Sequence, residues 1–202
     1  GGGGYPEPHA NRKKNILLTV GRIGAEQKNN EELVLAFCNI ADKISDWELR
    51  LVGSVDERIK PFMAKIFSER PHLRERIILV GLLHDKQELY KEYDRAKIFA
   101  LTSIFEGGTP NVYAEALFHG CKFITSDIDS ADDMTCFGHL GIKYKLGDLA
   151  ALQAAILQMT AESDESAMAE HIPMALEYGK RYFEWRRNAK KLAYMLHLDG
   201  KE

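Results

Sequence analysis

Short apolar runs alternate with longer amphipathic ones along most of the chain, and no other feature of the sequence restricts its fold as much. Strand-like runs are read at Ile16–Val20, Trp47–Val52, Ile77–Val80, Ile98–Leu101 and Phe123–Thr125, with a weaker one at Ile142–Tyr144. Helical patterns lie between them at Glu31–Ile44, Glu57–Ser68, Lys86–Tyr93 and Asn111–Phe118. In the first of these, Leu33, Phe37, Ile40, Ala41 and Ile44 recur at spacings that place them on one helix face. The strand runs are apolar almost throughout, not at every second residue, as expected of a sheet covered by helices on both sides. This alternation predicts a doubly wound α/β fold: a mostly parallel sheet of about six strands with right-handed crossovers. From Asp148, placed as an N-cap, the pattern is helical only, with Leu149, Leu152, Ile156 and Leu157 on one face. Two more helices are expected, at roughly Glu165–Tyr178 and Tyr182–His197.

The chain opens on Gly1-Gly2-Gly3-Gly4 and not on Met. Residues 1–14 are read as a linker and 15–202 as one domain, with a preceding domain left open. With 202 residues, 45% of them hydrophobic, the chain is long enough to bury a core. Its net charge of -3 gives no electrostatic footprint for nucleic acid. The basic runs Arg12-Lys13-Lys14 and Arg186-Arg187 with Lys190-Lys191 are read as solvated ends of elements. The three cysteines, Cys38, Cys121 and Cys136, form no CxxC pair. Cys38 and Cys121 sit in apolar patterns and read as buried small hydrophobes, which points to a reducing compartment and a cytoplasmic location. No apolar stretch is long enough to span a bilayer; peripheral membrane association of the full-length protein is left open.

In an open α/β sheet, ligands gather at the carboxyl ends of the strands, so the residues just after each strand carry the functional argument. After the first strand the chain reads VGRIGAEQKNNEEL. Gly21 ends the strand, Arg22 and Lys28 place two cations in one loop, and a helix starts at about Asn29 or Asn30. Cations beside a helix N-terminus suit a diphosphate, Arg as a bidentate donor and Lys as a mobile point charge. The loop is neither the dinucleotide fingerprint nor a P-loop. After the fourth strand comes LTSIFEGGTPNVYAEALFHG. Here Glu106 leads into Gly107, Gly108, Thr109 and Pro110, and Asn111 opens a helix. The glycines let backbone approach a ligand, Pro110 suits the helix approach, and free amides at the helix start favour an anion. Glu115, a turn further in, cannot favour a phosphate; as a functional group it would accept hydrogen bonds from hydroxyls, for which a ribose is the natural source. Its plain alternative is a glutamate complementing the helix dipole.

Together these segments resemble a known family. VGRIGAEQKN, WELRLVG, IILVG and above all TSIFEGGTPNVYAEAL are similar to the C-terminal domain of retaining glycosyltransferases of the GT-B fold. The group includes sucrose and sucrose-phosphate synthases and bacterial transferases of lipopolysaccharide and capsule biosynthesis. The resemblance runs in order from about Asn15 to Tyr194, and implies a donor-binding domain whose N-terminal, acceptor-holding partner domain is absent. It implies that Arg22 and Lys28 bind the diphosphate of a UDP- or GDP-linked sugar. It further implies that Glu106 contacts the donor sugar, Glu115 the ribose hydroxyls, and the amides of Gly108 to Asn111 the distal phosphate. Glu106, Arg22 and Lys28 form the expected catalytic set. Gly21, Gly107, Gly108, Thr109, Pro110, Asn111 and Glu115 form the expected donor-binding set. The sequence departs from the family at two points. Eight residues lie between Glu106 and Glu115 where seven are usual, and the Arg22–Lys28 loop is one residue longer than its commonest form.

Asp127-Ile128-Asp129, followed by Asp132 and Asp133, has the spacing of a metal-binding Asp-x-Asp. Carboxylates so spaced are ordinary just past a strand, and the site is read as metal-free and without a cofactor. The seven histidines show no ligand spacing; His84 is read as a solvated loop residue and His119 as a cation favoured by a helix end. Two other functions remain compatible with the sequence. One is a non-catalytic module binding a nucleotide or a partner protein. The other is a further nucleotide-sugar enzyme such as an epimerase, which would need an acid/base pair not found here.

Overall fold

The computed structural model describes residues 5–107 and 109–196. Six strands form one sheet: β1 (Lys14–Val20), β2 (Glu48–Val52), β3 (Ile77–Gly81), β4 (Ala96–Leu101), β5 (Lys122–Ser126) and β6 (Gly141–Tyr144). Their order is β3-β2-β1-β4-β5-β6, and every pairing is parallel. The helices are α1 (Asn30–Ile40), α2 (Lys60–Glu69), α3 (Lys86–Arg95), α4 (Asn111–Phe118), α5 (Ala131–Met134), α6 (Leu149–Ala161) and α7 (Glu165–Met195). The expected α/β fold, strand count and strand positions are borne out. α1 is shorter than expected, because Ala41–Ile44 tightens into a 3-10 turn.

The reason the strands lack alternation is visible in the packing. Leu17, Ile98, Ala100 and Ile124 face one core, against α1, α2 and α6. Ile16, Leu18, Phe99, Leu101 and Phe123 face a second, shared with α3, α4 and α7. A strand buried on both faces has no polar side to show. All six residues of β4 are buried, as befits a central strand.

The C-terminal part corrects the sequence reading. One continuous helix, Glu165–Met195, replaces the two expected; His197 lies outside the described residues. Gly179, which invites a break, lies inside this helix, where an added Cβ would come within 2.9 Å of Leu117 Cδ2 and 3.1 Å of Phe118 Cε1. The glycine therefore serves close packing of α7 on α4. Asp148 is an N-cap as expected, accepting from the Ala151 amide at 2.9 Å.

Lys13, read from sequence as part of a solvated basic run, is instead buried: beneath the amino ends of the strands its ammonium donates to the carbonyls of Tyr93 and His119. These carbonyls lie at the C-terminal ends of α3 and α4, where a cation is favoured. Burial pushes the amine's pKa down.

Candidate functional site

The strand order places a switch point between β1 and β4, since the chain proceeds outward in opposite directions from that pair. Crevices at such points take ligands, and the two loops singled out from sequence flank this one. Gly21, Gly81 and Glu106 all follow or end strands at the same sheet edge. The Gly21 amide donates to the Val52 carbonyl at 3.0 Å, and that of Gly53 to the Gly81 carbonyl at 2.9 Å. Gly53 has φ +134°, and a Cβ there would overlap the carbonyl oxygen of Gly21. Only glycine lets the ends of β1 and β2 approach so closely.

The loops after β1 and β4 are stitched together by backbone and side-chain bonds. The Ile104 amide donates to the Gln27 carbonyl at 2.8 Å, and Gln27 Nε2 donates to the Phe105 carbonyl at 3.1 Å. The buried Thr102 hydroxyl lies 3.0 and 3.1 Å from the carbonyls of Lys28 and Asn29. This seam brings Lys28 Nζ to Glu106 Oε1 at 2.6 Å. Lys28 also passes over Gly21, with its Cε 3.7 Å from where a Cβ on that glycine would stand. Ser103 Oγ donates to the same Glu106 oxygen at 2.8 Å, and Ser126 Oγ donates to the Ser103 carbonyl at 2.6 Å.

Arg22 stands apart from that pair. Its guanidinium donates to Asp56 Oδ2 at 3.0 Å, and its side chain is 65% exposed. Asp56 is also bound by the Arg58 amide and guanidinium, which hold its carboxyl below the usual range.

Glu115 lies beyond the first turn of α4. Tyr93 OH donates to its Oε2 at 2.8 Å, and Lys86 Nζ approaches Oε1 at 3.5 Å. Burial, with the Glu115 charge second, pushes the Tyr93 phenol pKa far up, so it remains a donor. Pro110 precedes α4 in extended conformation, and Asn111 begins the helix, exposed. Gly107 has no atom within 4 Å of where a Cβ would project, and Thr109 Oγ1 lies 3.3 Å from Tyr182 OH. Gly108 lies outside the described residues. Beside these groups a largely apolar cleft of about 250 Å³ opens between the ends of β1, β2 and β3, lined by Val20, Gly21, Val52, Gly53, Leu82 and Leu83.

The family's sequence profile, described as glycosyl transferases group 1, matches residues 14–162. The chain belongs to that family. No curated protein matches it by sequence. Among solved structures, the family's fold recurs at low identity. The sucrose-phosphate synthase of Thermosynechococcus elongatus superposes with a TM-score of 0.73 at 24% identity, over 92% of this chain and 45% of that one. The pneumococcal O-GlcNAc transferase GtfA, solved with UDP and GlcNAc, gives 0.71 at 17% identity, over 92% and 37%. The C-terminal domain of LpcC from Francisella tularensis gives 0.72 at 14%, over 88% and 94%. The chain thus spans less than half of the first two. As a member of glycosyl transferases group 1 it has the expected GT-B C-terminal architecture.

Several residues at this site were not singled out from sequence: Tyr93, Ser103, Asp56, Lys86 and Gln27. Ser103 carried a signal, since it lies just past the end of β4. Tyr93 carried none, lying 22 residues from Glu115 on a different helix. Two readings fare differently. His84 is exposed, as expected. His119 is not the helix-end cation expected: it is fully buried, its Nδ1 lies 2.6 Å from the Glu115 carbonyl, and burial lowers its pKa. A buried neutral imidazole cannot complement a dipole by charge. Asp127 Oδ1 accepts from the Leu146 amide at 2.9 Å, and Asp132 pairs with Lys143 at 2.8 Å. Among the described residues no three His, Cys, Asp or Glu side chains converge as metal ligands, and no helix is long and apolar enough to cross a membrane.

Proposed function

We propose that this chain is the donor-binding half of a retaining glycosyltransferase, taking a UDP- or GDP-linked sugar at the β1–β4 switch point. The observation that carries the reading is the convergence of Lys28 and Glu106 there, 2.6 Å apart, with Glu115 further along on α4. In this reading Lys28, Arg22 and the backbone amides within the Gly108 to Asn111 stretch receive the diphosphate. Each can offer a hydrogen bond or a positive charge to the oxygens that gain charge as the glycosidic bond breaks, once Lys28 turns from Glu106 and Arg22 from Asp56. Glu106 accepts from sugar hydroxyls and Glu115 from the ribose. The apolar cleft between Val52 and Leu82 receives the base, with backbone groups at the strand ends as its polar contacts.

Transfer proceeds without a metal, because fixed cations and helix amides supply the charge that magnesium supplies elsewhere. Retention of anomeric configuration rests on the family resemblance. The acceptor is held by an N-terminal half, and this chain alone binds donor without efficient transfer. The pneumococcal protein solved with UDP lends support to UDP as one candidate nucleotide of the donor.

Calorimetric titration with UDP, GDP and their sugar esters, with and without EDTA, tests the reading. Binding that is indifferent to EDTA and to Asp127→Asn is expected. No binding of any of these ligands refutes the donor site, and magnesium-dependent binding abolished by Asp127→Asn refutes the metal-free mechanism.

A further inference from the structure

The two side chains that the proposed function needs most are paired with each other in the structure. Lys28 Nζ donates to Glu106 Oε1 at 2.6 Å, with the side chains 23% and 10% exposed. Glu106 has a second anchor, the Ser103 hydroxyl on the same oxygen at 2.8 Å, and the Ser103 backbone is itself held by Ser126. Among the described residues, the hydrogen bond of the Lys28 ammonium goes to Glu106. A diphosphate that takes Lys28 therefore has to draw it away from a carboxylate that stays where it is.

The consequence differs between two kinds of ligand. A bare nucleoside diphosphate removes the cation from Glu106 and sets a second anion near a carboxylate that remains partly buried. With its ribose placed at Glu115, that ligand brings no sugar hydroxyl to this carboxylate. A diphosphate esterified to a sugar brings hydroxyl donors to the same place, and hydrogen bonds to a charged acceptor are the stronger kind. Resting on the donor-site reading above, we propose that the Lys28–Glu106 pair sets the site's preference for an intact sugar nucleotide over the nucleoside diphosphate left after transfer. Glu106 is then a specificity-determining residue in two ways: it recognises the sugar, and it competes for the phosphate ligand when the sugar is gone. Release of the spent nucleotide is assisted by the pair re-forming.

The test is calorimetry on the chain as it stands. The variants are Glu106→Gln, Glu106→Ala, Lys28→Ala and the Lys28→Ala/Glu106→Gln double variant, each checked for folding by its melting curve. The probes are UDP, GDP, UDP-glucose, UDP-N-acetylglucosamine and GDP-mannose. Glu106→Gln frees Lys28, and the bare diphosphate that the wild type accepts should bind about ten-fold tighter, the size of one charge-assisted bond. The sugar nucleotide should lose its advantage over that diphosphate, and the gain should be absent in the Lys28→Ala background. Glu106→Ala should show the same gain, which keeps the test decisive should the glutamine variant fold poorly. If wild type binds nucleoside diphosphates and neither Glu106 variant binds them more tightly, the selectivity device is overturned and the donor site stands. If wild type binds none of the probes, both fall together.

Discussion

Tyr93→Phe separates the placement of Glu115 from its chemistry. The phenylalanine keeps the buried ring, with centroids 6.1 Å from Phe99 and 5.5 Å from the stacked His119 ring. What it removes is the hydroxyl that donates to Glu115 Oε2 at 2.8 Å. A hydrogen bond to a charged group contributes about 1.5–3 kcal/mol. The Glu115 side chain is 13% exposed, so water replaces part of the loss and the lower end applies. For a chain of this size about 1.5 kcal/mol corresponds to a melting temperature roughly 3–6 °C lower. The effect on binding is selective. A glutamate without its anchor must be ordered by the ligand, at about 0.5–1.5 kcal/mol, or roughly two- to ten-fold in affinity. Only a ligand with ribose hydroxyls uses Glu115 in the proposed site. Titration with UDP and its 2′,3′-dideoxy analogue should therefore show the first weakened and the second unchanged. A lower melting temperature with an unchanged ratio between the two ligands would mean that Tyr93 is structural and Glu115 does not meet the ribose.

Lys28→Ala should weaken nucleoside-diphosphate binding about ten-fold, and Arg22→Ala should weaken it with little change in melting temperature, because that guanidinium is mostly exposed; calorimetry and a thermal melt read both. Gly53→Ala should destabilise the fold by more than about 3 kcal/mol, since its φ of +134° and the overlap with the Gly21 carbonyl both oppose a Cβ; urea unfolding measures it, and a loss below about 1 kcal/mol would contradict the close approach of β1 and β2. Burial lowers His171 from 6.5 to about 4. The unfolded chain then binds the extra proton first, so stability is present above pH 6.5 and is lost as pH falls towards 4, by at most about 3 kcal/mol. Urea midpoints across that range should fall less steeply for His171→Gln; an identical slope would refute the assignment.

Strand positions were legible because burial on both faces writes an unbroken apolar run into the sequence, as in Ile98–Leu101. The order of the strands was not, because pairing of β1 with β4 is a tertiary outcome that no local window contains. The same limit explains α7, where two helices were expected and one runs through, its Gly179 packed closely against Leu117 and Phe118. At the site, Lys28 and Glu106 could be found by inspecting the loop at the carboxyl end of each strand. Their supports could not: Tyr93 meets Glu115 only once α3 and α4 pack side by side, and Asp56 meets Arg22 across 34 residues. His119 shows how burial overrides position. Its place at a helix end favours a cation, but its buried ring disfavours one more strongly.

The spacing of the two glutamates can be argued from how each is held. Glu106 is fixed from upstream by Ser103, across the crevice by Lys28, and through the seam that ties Gln27 to Ile104 and Phe105. Glu115 is fixed by Tyr93 and by its place on α4, which packs through Leu117 and Phe118 against α7. Neither anchor runs through Gly107, Thr109 or Pro110. The separation of the carboxylates is therefore set by the sheet and by α3, and the chain between them only has to connect the two points. One further residue in such a connection costs little loop entropy, and Gly107 has open space around it. The extra residue relative to the common family spacing thus falls in the connection between Glu106 and α4, whose Gly108 to Asn111 amides are proposed to meet the distal phosphate. It is in phosphate contacts, and not in the reach of Glu106 or Glu115, that this chain should differ from relatives with seven residues in that loop.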